Sequence, residues 1–354
     1  LIIGGIASKL NGSVIRELIK HLHRLVVCLI PTIFGCWLFQ ILPVQAEPVT
    51  PPKTCQIGVY LTSLRDFNPA EKSFAANFWV WSVCPFNTLK PLESLQVINS
   101  KEMSTTYSSS SQIENQLDIF KVHKTVFWSE QQISAIFYHN WDTRNYPFDR
   151  HVLQIPLEER KLDIADFIYT PDFAGSSYQK DVDLEGWKIT NFKISQVKFP
   201  YQTGFGSPKI KRGPNYRSRL VISITINRDT KVSFFKLTAG VYAAVALSIM
   251  ALLLDEDFGD RMGIFVGTLF AVLVNMQAAT SNLGSTETVT LIDFIHIIAM
   301  GYIFITAILL VYTRFLSESD QSSRYLMRRI AVPLLAGSFI VFNIVAISYA
   351  AIIG

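Results

Sequence analysis

The stretch MGIFVGTLFAVLVNMQAATSNLGST, residues 262–286, contains no Asp, Glu, Lys or Arg. A bilayer core takes roughly 20 apolar residues in helix. Residues 237–254, 294–313 and 330–354 are equally free of those charges, and all four runs lie in the last third of the chain. Between Glu47 and Lys236 there is no such run. The chain therefore reads as a soluble amino-terminal part, residues 47–229, followed by a membrane part, residues 230–354, with four spans. Composition agrees: 49% of the 354 residues are hydrophobic and 17% charged, against about 25% charged in a soluble domain. That balance excludes a disordered chain and a coiled-coil rod, and a net charge of +4 is too small to imply nucleic acid.

Upstream, Lys9, Arg16, Lys20 and Arg24 precede an apolar run from Leu25 to about Val44, and Val44-Gln45-Ala46 is followed by Glu47. Small residues at these positions fit secretory cleavage after Ala46, so residues 1–46 read as a signal peptide. The alternative is an uncleaved anchor, because the run is long and Pro31 and Pro43 interrupt it. In either case the chain from Glu47 onward is expected outside the cytoplasm. Cys28 and Cys36 would leave with the signal. Cys55 and Cys84 remain, an even pair in an oxidising compartment, either bonded between hairpin partners or buried as two thiols. No Cys/His cluster is present, so neither a metal nor a cofactor is expected.

Residues 55–229 read as strands. Leu220, Ile222, Ile224 and Ile226 alternate with Val221, Ser223, Thr225 and Asn227; Leu153, Ile155 and Leu157, and Ile57, Val59 and Leu61, follow the same period of two. That period means strands with one face buried. Breakers recur at Asn68-Pro69, Tyr146-Pro147, Thr170-Pro171, Gly204 to Gly206 and Gly213-Pro214. Short strands between turns favour a β-sandwich. The serines at 108–111 are expected in a solvated turn. No Gly-x-Ser-x-Gly, paired-His metal motif or phosphate loop supports catalysis, so an enzyme is not expected.

In the second span Gly263, Gly267, Phe270, Val274, Gln277 and Ser281 recur at steps of four and three, which places them on one helical stripe. The linker after the third span, residues 314–329, carries four Arg against Glu318 and Asp320, which assigns it to the cytoplasm. Counting back puts residue 229 outside, in agreement with the export signal. His296, three residues after Asp293, reads as a hydrogen-bonded interhelical residue or, as an ionisable group in a membrane helix, a functional one.

Asn145-Tyr146-Pro147-Phe148-Asp149 lies between two predicted strands, with Trp141-Asp142 just before it. Leu184-Glu185-Gly186-Trp187 and then Ile226-Asn227-Arg228 follow, the latter directly ahead of the first span, and Ser281-Asn282-Leu283 follows the second. From about Ile57 to Gly354 this order resembles the pentameric ligand-gated ion channels, the Cys-loop receptor family, and most of all their bacterial members. His139 and Leu153 stand where the animal receptors carry the loop cysteines. The resemblance implies an all-β extracellular immunoglobulin-like sandwich followed by an all-α four-helix transmembrane bundle, assembled as a homopentameric ring. It implies a multi-pass protein of the plasma or inner membrane, in contact with lipid, gated by a small agonist or by protons.

By the same resemblance the stripe lines the pore. Gly259-Asp260-Arg261-Met262 is similar to the Gly-Glu-Lys-Met that opens the pore helix of the nicotinic acetylcholine receptors, so Asp260 falls on the ring that favours cations. Five carboxylates around a narrow mouth concentrate cations, with Asp255, Glu256 and Asp257 nearby. Permeant monovalent cations are therefore expected; the plainer role for Asp260 is to complement a helix dipole. Phe270 stands at a gate position, or simply packs. Asp149 and Arg228 are expected to pair where the two halves meet, with Pro147 and Phe148 beside them, and to act on the linker 282–290. Tyr169, Phe173, Tyr201, Phe205 and Tyr216 are the candidate ligand aromatics, with core residues as the commoner alternative. Lys209, Lys211 and Arg212 would favour an acidic ligand. The other functional readings are a non-conducting receptor plugged by Phe270 and a membrane-anchored exported binding domain.

Overall fold

The computed structural model describes Glu17, Lys20, His21 and residues 51–353 except 117, 118, 122, 183, 185, 207–214, 255, 256, 284–287 and 317–320. Residues 1–51 and 52–354 form separate compact units. The expected signal peptide, with Cys28, Cys36 and Ala46, lies outside the described residues, as do Glu185, Lys209, Lys211, Arg212, Asp255, Glu256, Glu318 and Asp320.

The described part of the second unit is a mostly β region followed by four long helices. The first sheet has the order β4-β5-β2-β1-β7, with β8 also on β1; the second has the order β3-β6-β10-β9. In the first, β1 (Lys53–Asn68), β2 (Ser73–Cys84), β4 (Ser100–Glu114) and β5 (Thr125–Tyr138) are antiparallel neighbours, while β7 (Phe167–Pro171) and β8 (Ser177–Tyr178) run parallel to β1. In the second, β3 (Leu95–Val97), β6 (Arg150–Glu159), β9 (Trp187–Tyr201) and β10 (Asn215–Arg228) are antiparallel.

The period-two residues make the core. Ile222 faces Ile155 across the ladder, Ile224 faces Leu153 and Leu220 faces Leu157. All six are buried, in one cluster with Ile57, Val59 and Leu61 from the other sheet. Each such side chain contributes about 1.5–3 kcal/mol over its exposed state. Cys55 and Cys84, at the open end of the β1–β2 hairpin and away from its turn, form a disulfide inside this cluster.

The serines at 108–111 are not a turn. They lie inside β4 and pair with residues from Gln131 to Trp128 on β5. No residue of β4 is buried on either face, so no apolar period marks this edge strand. The turn comes later, where the Asn115 amide donates to the carbonyls of Phe120 and His123 and its oxygen accepts from Ile119 N–H.

β10 ends at Arg228 and α1 (Thr230–Met250) begins two residues on. After it come α2 (Phe258–Thr280), α3 (Leu291–Leu316) and α4 (Gln321–Ile353). Each of the four contains a stretch long and apolar enough to cross a membrane, consistent with a multi-pass membrane protein. Their shared core takes Val241 and Val245 from α1, Phe265 and Val272 from α2, Ile295 and Ile303 from α3, and Leu335 and Phe339 from α4. Small residues and hydroxyls let the helices approach: Ser248 on α1 and Thr306 on α3 share a 3.2 Å hydrogen bond, and Tyr302 donates to Ser338 on α4 at 3.0 Å.

Candidate functional site

The β6–β10 register builds the junction between the β region and the helices. Asn227 pairs with Arg150, so Arg228, at the end of β10, arrives beside Asp149, the residue before β6. Arg228 Nε donates to Asp149 Oδ1 at 2.8 Å and Nη2 donates to Oδ2 at 3.1 Å. This bidentate pair is the one the resemblance implied. The Asp149 carboxylate is buried, and its Oδ2 also lies 2.9 Å from His151 Nε2. Burial alone would push the Asp149 carboxyl up; the His151 and Arg228 hydrogen bonds and the charges behind them outweigh it and hold it below its ordinary value.

Aromatic rings enclose the pair. The Arg228 guanidinium lies 4.0 Å from the Trp187 ring centre and 4.9 Å from that of Tyr146. Trp141 meets His139 and His151 edge-on, each at 4.7 Å, and Phe67, from the end of β1, packs on Trp141 and Trp187. The His139 pKa falls to about 4, first through burial and then through the neighbouring His151. His139 Nε2 and Trp141 Nε1 are buried without a hydrogen-bond partner among the described residues. Phe67, His139, Trp141 and His151 escaped the sequence reading as members of this site, because they come from separate elements and form no local motif.

The loop before β6 also touches the helices. Phe148 packs against Phe234 on α1, with ring centres 5.4 Å apart, and Leu291 N–H at the start of α3 donates to the Arg144 carbonyl at 2.9 Å. Asp229 N–H donates to the Gly186 carbonyl at 2.7 Å. Pro147 is buried within this loop. In the linker 282–290 the described end is capped: Thr290 Oγ1 and N–H both donate to Asp293 Oδ2, and Asp293 N–H returns a bond to Thr290 Oγ1. His296 is not interhelical in its bonding. Its Nδ1 meets the Ile292 carbonyl of its own helix at 2.7 Å, and its buried Nε2 has no partner among the described residues.

On α2, Asp260, Gly263, Gly267, Phe270, Val274 and Gln277 are all exposed, as is Ser281 directly after it, while Phe265, Thr268, Val272 and Ala279 are buried. Phe270 is 68% exposed. A Cβ added at Gly263 or Gly267 would meet nothing within 4 Å among the described residues. The base beside Asp260 turns the other way: Arg261 Nε donates to the Ala251 carbonyl at 2.9 Å and Nη2 to that of Leu252 at 3.3 Å. Its charge therefore complements the carboxyl end of α1.

The candidate ligand aromatics do not form one group. Tyr169 is 1% exposed inside the β core, so it is a packing residue with no access to a ligand. Burial, followed by the charges of Glu159 and Glu158, drives its hydroxyl pKa well up. Phe173 is 71% exposed in the turn after β7. Tyr201, Phe205 and Tyr216 share the β9–β10 end: Tyr201 meets Phe205 at 5.1 Å, and Tyr216 lies under Lys198 Nζ at 4.1 Å. Beside them is a buried cluster. Arg219 donates to Glu158 Oε2 through Nε and Nη2, and Tyr201 donates to the same carboxylate while accepting from Arg219 Nη2 at 2.9 Å. Glu158 and Arg219 face each other in the β6–β10 register, on positions that strand alternation alone assigns to the outer face.

Comparison with protein-family models finds no match for this chain, and comparison with curated proteins finds none either.

Proposed function

We propose that the chain is one subunit of a homopentameric, cation-selective ligand-gated ion channel of the Cys-loop kind. Residues 47–229 form its extracytoplasmic immunoglobulin-like sandwich, residues 230–354 its pore domain, and residues 1–46 its export signal. Five copies close into a ring in the plasma or inner membrane, and a small extracellular ligand or protons open it. The protein works by conduction and not by catalysis.

The observation that carries this reading is the outward stripe on α2. Asp260 in the first turn of α2, Gln277 in its last turn and Ser281 directly after it are exposed, away from the bundle of their own subunit. Against hydrocarbon a charged group is expensive and an unpaired polar group costs several kcal/mol; a water-filled axis removes that cost. With Arg261 directed to α1, five Asp260 carboxylates would concentrate cations at one mouth. The junction at Asp149 and Arg228 supports the gating part, since the same loop contacts both α1 and the start of α3.

A second reading rests on Phe270, whose exposed ring lies midway along the stripe. Five such rings would plug the axis and leave a non-conducting receptor. Planar-bilayer recording of the purified protein, with a pH and ligand screen in a salt gradient, separates the readings. Conduction predicts a cation-type reversal potential that moves toward zero in Asp260→Ala; an unchanged potential removes Asp260 from the argument. Current in Phe270→Ala alone supports the plug, and silence of both proteins under every condition rejects the channel.

A further inference from the structure

The loop between β5 and β6 reaches the helices at its tip and closes on itself at its base. At the tip, Phe148 packs on Phe234 of α1, and the Arg144 carbonyl accepts the Leu291 N–H at the start of α3. At the base, His139 directly follows β5 and His151 is the second residue of β6, with ring centres 5.5 Å apart. Trp141 completes the triangle, 4.7 Å from each ring. The His139 N–H donates to the Lys72 carbonyl at 2.9 Å, which fixes this stem beside the start of β2. β5 belongs to the first sheet and β6 to the second, so the three rings also fasten the two sheets together.

Nothing at this base is arranged to receive a charge on His139. Its Nε2 is buried with no partner among the described residues. The buried Asp149 carboxylate is already engaged, Oδ1 by Arg228 Nε and Oδ2 by His151 and Arg228 Nη2. The charged and titratable neighbours are His151 from β6, Asp142, Tyr146 and Asp149 from the loop, and Arg228 from β10; Asp142 is exposed and bound by Arg144. β1, β2 and β9 bring the rings of Phe67, Phe74 and Trp187. Burial, and then the His151 charge, hold the His139 pKa at about 4, so the ring is neutral at pH 7. A proton there sets a cation 5.5 Å from His151, where exclusion of water strengthens the repulsion. An imidazolium must also donate from both nitrogens, and Nε2 has no acceptor. Both costs fall if the stems part and water enters. Phe137 and Leu153, the next core residues inward, are fully buried and uncharged, so the sheets beyond stay packed.

We propose that His139, Trp141 and His151 form a proton-operated clasp: a proton taken up by His139 parts the two stems of the loop and draws its tip away from α1 and α3. In the channel reading His139 is the group through which external protons act, and the clasp rests on that reading only for its effect on current.

Nitroxide labels at Asn145→Cys and Val289→Cys test the clasp in the full chain reconstituted in vesicles, with Cys28→Ser and Cys36→Ser removing the other thiols; Cys55 and Cys84 are bonded. Asn145 and Val289 line one cavity between the loop and the helices, so the labels begin within range of dipolar broadening, a readout independent of conduction. The broadening is expected to fall reversibly on acidification with its midpoint at about pH 4, while far-ultraviolet circular dichroism stays constant. His139→Gln should abolish the fall. His151→Gln keeps a donor for Asp149 but removes the neighbouring charge, so the midpoint should move to higher pH and the change become smaller. An invariant spectrum in the parent, an unaltered fall in His139→Gln, or an unchanged midpoint and size in His151→Gln overturns the clasp. Loss of the dichroism together with the broadening overturns it as well, since that is unfolding. Planar-bilayer recording separates the clasp from the channel. A fall in broadening without acid-evoked current supports the clasp and counts against the channel; acid-evoked current with the same pH dependence in His139→Gln supports the channel and overturns the clasp.

Discussion

His151 Nε2 and Arg228 Nη2 converge on a single oxygen, Oδ2 of Asp149, from 2.9 and 3.1 Å. Two groups from strands β6 and β10 therefore depend on one buried carboxylate. Removing it leaves a partly buried guanidinium and a buried imidazole without their partner. We expect Asp149→Ala to destabilise the β region by about 3–5 kcal/mol. Arg228→Ala should cost a similar amount, and the double variant much less than the sum. Denaturation of the detergent-solubilised protein, followed by tryptophan fluorescence, measures all three; additive losses would mean that the two residues are energetically independent.

Acid should loosen the same region in two stages. His139 is pulled down from its ordinary 6.5 to about 4, first by burial, so the folded state favours the neutral ring. A group depressed on folding contributes its full stability above its unfolded pKa and loses it as pH falls through the folded one. The His139 contribution is thus complete above about 6.5 and is lost toward about 4. Asp149, held below its ordinary 3.8 against its own burial by His151 and Arg228, adds a further loss at still lower pH. Thermal melting from pH 7 to pH 3 should show Tm falling through both ranges, and His139→Gln should flatten the first. Trp141, against which His139 packs at 4.7 Å, supplies an independent optical titration.

Tyr201→Phe deletes one donor to the buried Glu158 carboxylate and one acceptor for Arg219. The expected loss is about 1–3 kcal/mol. Glu158→Ala should cost more, because it strands Arg219 in the β6–β10 interface. Equal effects of the two substitutions would show that the carboxylate carries no special share of the cluster.

Gly263 and Gly267 lie in the interior of α2 with open space where a Cβ would go. Ala at either position should stabilise the isolated subunit by up to about 1 kcal/mol through helix propensity. In the proposed ring the same change narrows the axis, so unitary conductance should fall while Tm rises. A fall in Tm would show that a neighbouring subunit packs against these glycines.

The β core was legible because burial on one face leaves a period of two; Ile222 and Ile155 announce themselves that way. The four helices were legible because hydrocarbon tolerates no run of charge. β4 was not, since an edge strand of serine and threonine carries no apolar period. Nor was the setting of Asp149: His151 is only two residues away, but Trp141, Trp187 and Phe67 reach it through tertiary packing, and the pairing with Arg228 was implied only by resemblance. Tyr169 shows the opposite failure. An aromatic residue following a strand invites a ligand reading, and only the second sheet, packed against it, makes it core.

The passage from β10 to α1 takes a single residue, Asp229, between Arg228 and Thr230. Its N–H is bonded to the Gly186 carbonyl, and its carboxylate lies 2.9 Å from Lys188 Nζ. Sheet and helix are thus joined as a stiff crank with no slack at the elbow: a rotation of the last strand must turn the first helix with it. Two glycines inserted after Asp229 would put a universal joint into that shaft, leaving each half folded and the drive between them slipping.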